Sequence, residues 1–231
     1  MKVLKRFGRY RNTQDRNPSK LVSRGQSIKL IETSYLTSAT ALIWIALYYL
    51  PVGGAFFRLV LPLPLALLQV RRGASTGWEG LSLLIMLLVV LMGPVRGPLV
   101  LFPYGFLSVW LGWSWSKNYS WWLSWCVGVF IGTIGFLIRV FLLSILVGEN
   151  LWIVITRAGY ILLERLIDWF NIALIPDLNL IQFVALGLVV MQEFIFVLTL
   201  HVVAFWVFPR LSASIPNPPR LLNGIVGWES T

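Results

Sequence analysis

Six long apolar runs decide what this chain can fold into. They cover Glu32–Leu50, Gly53–Val70, Gly77–Met92, Leu99–Ser116, Ser120–Val147 and Leu178–Val207. A helix rises about 1.5 Å per residue, so about 20 apolar residues cross a hydrocarbon core of about 30 Å. Backbone in lipid must satisfy its own N–H and C=O groups, which leaves helices and closed barrels. Barrel strands alternate apolar and polar residues, and these runs do not. The chain therefore reads as an all-α, polytopic membrane protein of about six transmembrane helices. Of its 231 residues only 12% are charged, about half the share in a soluble domain. The last run, at about 45 Å, must tilt, bend or protrude.

The charges that remain are placed unevenly. Nine of the 19 Lys and Arg residues lie before residue 30. Residues 1–31 thus read as a basic cytoplasmic tail able to lie on anionic headgroups, and no apolar segment follows that would make them a secretory signal. Arg71, Arg72, Lys117 and Arg210 end runs on the same side as that tail, which puts both termini in the cytoplasm. Residues 32–208 form the membrane domain. Residues 209–231 read as a cytoplasmic C-terminal tail. The positive charge is local and carries no signal for nucleic acid.

The segment Trp152–Leu174 differs from the runs. On a helical wheel Arg157, Glu164, Arg165, Asp168 and Asn171 share one face, and Leu162, Leu163, Leu166, Trp169, Phe170 and Ala173 share the other. This pattern predicts an amphipathic helix lying in the membrane interface; a seventh crossing is the rival reading. The cluster Trp110, Trp113, Trp115, Trp121, Trp122 and Trp125 brackets Lys117 and reads as an interfacial belt.

Motifs for nucleotide hydrolysis, zinc proteolysis and the serine-hydrolase elbow are absent, and one His and one Cys make no metal cluster. No enzyme, metal or cofactor is expected. The candidate chemistry rests on ionisable residues inside the runs: Arg58, Arg139, Glu193 and His201. A charge at membrane depth costs about 2.5–3.5 kcal/mol or more unless it is paired, snorkels or faces water. Glu193 could pair with Arg139 or Arg58, or these groups together with Gln192 could contact a ligand. His201 reads as a neutral core histidine. Pro62 and Pro64 remove helix hydrogen bonds near Arg58, so charge and helix break mark one place. Gly128 and Gly132 form a GxxxG pair for close helix packing. Thr37 and Ala41, beside Ser34 and Ser38, form a small-residue strip for internal packing or for docking another membrane subunit.

The run LPVGGAFFRLVLPLPLALLQVRRG follows a small-residue first helix. Glycine-rich later spans, an interfacial helix and a long last span come after it. This order, over roughly residues 32–208, resembles the YybS-like family of predicted membrane proteins. These in turn resemble the substrate-binding S components of energy-coupling factor (ECF) transporters. A related layout occurs in rod-shape membrane proteins. The S-component resemblance implies a ligand site in the outer half of a six-helix bundle. It also implies a transmembrane coupling protein docked on the first helix at Thr37, Ala41, Ser34 and Ser38, and separate ATPase subunits. The expected function is binding of a small ligand for transport. The alternative is a scaffold or assembly factor in a larger membrane complex. Either a bacterial plasma membrane or an internal membrane such as the thylakoid fits.

Overall fold

A computed structural model of the protein describes residues 24–170 and 176–219. The first part of the basic tail, residues 171–175 with Asn171 and Ala173, and the end of the C-terminal tail lie outside the described residues. Within them the chain is helical: α1 Arg24–Tyr49, α2 Gly54–Val60, α3 Leu63–Arg72, α4 Ala74–Met92, α5 Tyr104–Ser116, α6 Trp121–Val147, α7 Trp152–Phe170 and α8 Leu178–Val207.

Five elements are long and apolar enough to cross a membrane: α1, α2 with α3, α4, α6 and α8. The expected fourth crossing, Leu99–Ser116, is instead composite. A 3₁₀ turn at Pro98–Leu101 enters the bundle and is followed by the 13-residue α5, which is too short to count among the five. Leu99 and Val100 are buried, and Gly97 lies directly against the α4 backbone at Leu88 and Val89. Irregular backbone at this depth is tolerable because protein, not lipid, surrounds it.

The second crossing breaks where the prolines require it. Helix α2 stops at Val60, and Pro62 caps a new helix that begins at Leu63. Helix α1 starts at Arg24, eight positions before the expected span, so the end of the basic segment is helical. Its turns beyond the apolar run are held by ion pairs. Lys29 reaches Glu79 at 2.9 Å, and Glu32 pairs with both Arg71 and Arg72. Two carboxylates thus fasten α1 to α3 and α4 at one end of the bundle. The α5–α6 turn and the start of the C-terminal tail stand at that same end. The tail is not free there: Ala213 and Ile215 are buried, and the Trp121 indole donates to the Pro216 carbonyl at 2.8 Å.

The core centres on α3 and α5. Helix α3 packs against α1, α4 and α5, while α5 also meets α4 and α6. Helix α6 is peripheral: of its 27 residues only Trp121, Ser124, Gly128, Gly132 and Gly135 are buried. Its large exposed residues, such as Phe130 and Phe141, face outward as a lipid-covered helix allows. Helix α7 packs against α8, with Gly159 seated on the Ala185 backbone. Ile153, Val154, Leu166, Trp169 and Phe170 remain exposed on α7, an apolar stripe beside its charged face.

The tryptophan cluster is not a uniform belt. Trp115 and Trp121 are core residues that pack on the His201 ring at 5.3 Å and 5.4 Å. Trp122 is exposed. Three of the six sit on α5 and three on α6. Where those helices face the bundle, the indoles turn inward and close its core.

Candidate functional site

The charged residues singled out in the sequence gather near Tyr104, the first residue of α5. Its hydroxyl lies within electrostatic reach of Arg58 of α2, Arg139 of α6 and Glu193 of α8. The glycines of α6 create this proximity. A Cβ on Gly128 would stand 2.9 Å from Val197, and one on Gly132 would stand 2.5 Å from Glu193 Oε2. Gly135 likewise admits Pro103. Small residues let the α6 backbone approach α8 and the entry to α5 closely, the usual device where hydrophobic collapse does not drive helix association.

Arg139 is held by aromatic residues rather than by a carboxylate. Its guanidinium stands 5.4 Å from the Trp44 ring centroid and 5.7 Å from that of Tyr104, and it donates to the Tyr48 hydroxyl at 3.2 Å. The cage is continuous: Trp44 meets Tyr48 edge-on at 5.0 Å and Tyr104 at 6.0 Å, and Tyr104 meets Phe196 at 6.1 Å. Cation–π contacts contribute about 0.5–1 kcal/mol each when exposed and more when desolvated. They leave guanidinium donors able to take an anion. Arg58 is exposed at the end of its short helix.

Glu193 is 4% exposed, and its Oε2 has no hydrogen-bond partner. Among the described residues the ion pairs involve Glu32 and Glu79, so the pairing of Glu193 with Arg139 or Arg58 is not formed. Adjacent residues on a helix point about 100° apart. Gln192 therefore faces outward, exposed, while Glu193 faces in. The aromatic frame of Trp44, Tyr48 and Tyr104 was not among the residues picked from sequence. Its signal is the four-residue spacing of Trp44 and Tyr48, which puts two amphipathic rings on one face of α1.

The first helix divides its small residues. Thr37 and Ala41 are buried, and the Thr37 hydroxyl donates to the Gly80 carbonyl at 3.4 Å. That pair is internal packing against α4 and is closed to a partner. Ser34 and Ser38 are exposed on another face, beside Tyr35 and Leu42.

His201 sits elsewhere, nearer the ion-paired end of the bundle. Its Nδ1 lies 2.9 Å from the Val197 carbonyl, which can only accept, so the proton is on Nδ1. Nε2 then accepts from Ser124 Oγ at 3.0 Å, and Ser114 Oγ lies 2.7 Å behind Ser124. All three side chains are buried. Among the described residues a space of about 10 Å³ lies beside the imidazole, too small for a substrate. The Ser114–Ser124–His201 chain ties α5, α6 and α8 together. Removing the hydroxyl in Ser124→Ala leaves Nε2 without a donor, and we expect a loss of about 1–3 kcal/mol, read as an earlier thermal transition in detergent. Among the described residues no group of His, Cys, Asp and Glu could hold a metal ion.

No curated protein and no solved structure matches the chain. Residues 38–163, which run from α1 into α7 and carry Trp44, Arg58, Tyr104 and Arg139, match the family described as predicted membrane protein, DUF2232. With that match and five helices long and apolar enough to span a bilayer, the chain belongs to the DUF2232 family and is a multi-pass integral membrane protein.

Proposed function

We propose that the protein is a membrane-embedded binding subunit of the S-component type. It would take a small ligand at the Arg58–Arg139–Glu193 cluster and act with separate energising partners. One observation carries the reading: Arg139 is fixed in an aromatic cage without a carboxylate partner, while Glu193 is buried nearby with an unpartnered oxygen. Ionisable groups at such depth are costly, and neither one compensates the other. A ligand with an anionic group for Arg139 and Arg58, and a donor group for Glu193, would satisfy both. Small carboxylates and zwitterions fit this description.

The test is a thermal-shift screen of purified protein with a panel of such molecules. At least one should raise the melting temperature of the wild type and fail to raise that of Arg139→Ala. A panel that moves both proteins equally, or neither, removes the reading. Affinity purification in mild detergent addresses the partners. Co-recovery of a transmembrane coupling subunit with ATPases supports transport. Recovery of an unrelated large complex supports the second reading, a scaffold or assembly factor. The exposed Ser34–Ser38 face of α1 favours a partner of either kind, because small residues there admit a close helix.

A further inference from the structure

A second site stands apart from the charged cluster. Between α4 and α6, over the outward side of α5, lies a cavity of about 560 Å³. Its walls are aromatic and aliphatic, including Trp78, Phe106, Trp113, Phe130 and Ile134. Trp78 and Phe130 are 51% and 65% exposed, so the cavity opens at the side of the helix bundle, between two helices long and apolar enough to cross a membrane. One polar side chain lines it. Gln69, in the last turns of α3, is 0% exposed, and neither its Nε2 nor its Oε1 has a hydrogen-bond partner. A buried amide left without partners costs about 1–3 kcal/mol. Exchanging its N and O atoms does not help, because both are unsatisfied.

The slot that holds this amide is made by two glycines. A Cβ on Gly112 would stand 2.9 Å from the Gln69 Cβ, and one on Gly77 would collide with Oε1. The polar end is near one membrane surface, since Arg71 and Arg72 follow two and three residues later and pair with Glu32. From Trp113 the wall continues along α5 to Pro103, about 15 Å, or half the hydrocarbon thickness. A site with a polar foot at the headgroup level and an apolar length of one leaflet has the shape of a single lipid chain.

The geometry points to a binding site for one neutral single-chain lipid whose tail fills the crevice between α4 and α6, its hydroxyl head pairing with the Gln69 amide once that side chain turns from Gly77 toward the crevice. A charged head is disfavoured because no lining residue is charged and the neighbouring arginines are already paired.

The probe is a long-chain alcohol brominated at mid-chain, with the matching brominated alkane as reference, added to purified protein in detergent. Bromine quenches tryptophans it touches, and Trp78, Trp110 and Trp113 line the cavity. The wild type should show saturable quenching by the alcohol at about tenfold lower concentration than by the alkane, the effect of two net hydrogen bonds. Gln69→Met keeps the unbranched shape and loses both polar atoms, so it should erase that preference. It should melt no earlier than the wild type, which shows that it folds. Gln182→Leu, on the exposed side of α8, should keep the preference. Equal quenching by alcohol and alkane in the wild type, or an undiminished preference in Gln69→Met, overturns the assignment.

Discussion

Gly112→Leu is expected to abolish the folded bundle, whereas Gly187→Ala leaves it intact. The contrast comes from what each new side chain would meet. At Gly112 a Cβ alone would lie 2.9 Å from the Ala66 carbonyl oxygen, 2.9 Å from the Gln69 Cβ and 3.1 Å from the Ala66 Cα. Two of these are backbone atoms of α3, which cannot rotate away. Helices α3 and α5 would have to separate, and theirs is the most extensive packing among the described helices. Overpacking a core typically costs about 1–3 kcal/mol, and more where backbone must shift. Lipid tails are as apolar as the helix surfaces, so close packing rather than water exclusion holds the helices together. Losing it at the central pair therefore removes the main attraction. At Gly187 nothing lies within 4 Å, and alanine improves helix propensity by about 1 kcal/mol. Fluorescence-detected size exclusion with a heating series reads both: a monodisperse Gly112→Leu that melts with the wild type would contradict the packing assigned to α3 and α5.

The second large effect has the opposite sign. Glu193→Leu is expected to raise the melting temperature while ending ligand response. The Glu193 carboxyl is buried with an oxygen that nothing in the protein satisfies. Replacing a buried, poorly compensated ionisable group by an apolar residue of similar size is often neutral or stabilising by about 1–4 kcal/mol. Gly132 leaves the room that a leucine needs, since Glu193 already fills it. A group kept at a stability cost is what a binding site would be expected to contain. A Glu193→Leu protein that melts earlier than the wild type would mean that the carboxylate holds a structural partner. Glu193→Gln separates charge from shape: it should keep the fold, and keep ligand response only if the ligand needs a hydrogen bond rather than a negative charge.

The helices themselves were legible in the sequence because length and continuity of apolar residues are local properties. The break in the second crossing was equally legible, since Pro62 lacks an N–H whatever surrounds it. The fourth run carries the same local mark in Pro103, which caps α5, whereas the approach of Gly97 to the α4 backbone is not a local property. The basic tail was read as ending near residue 31, but α1 continues back to Arg24 because Lys29 and Glu32 find partners on α4 and α3.

At the candidate site the sequence supplied the charged residues and the structure supplied their company. Depth in an apolar run is enough to single out Arg58, Arg139 and Glu193, because lipid penalises any charge. Which charges pair is a matter of distance between helices, and there the ion pair with Glu193 gave way to an aromatic cage around Arg139. The sequence alone determined an all-helical membrane chain, its helix break and its costly residues, since each follows from the solvent that a segment must satisfy. Tertiary structure alone decided which face of each helix is inside. It buried Thr37 and Ala41 on α4, turned Gln192 outward, drew Trp115 and Trp121 around His201, and left Gln69 without a partner. In a bilayer both the lipid-facing and the packed faces of a helix are apolar, so hydrophobicity does not tell them apart; only the fit of one helix surface to another does.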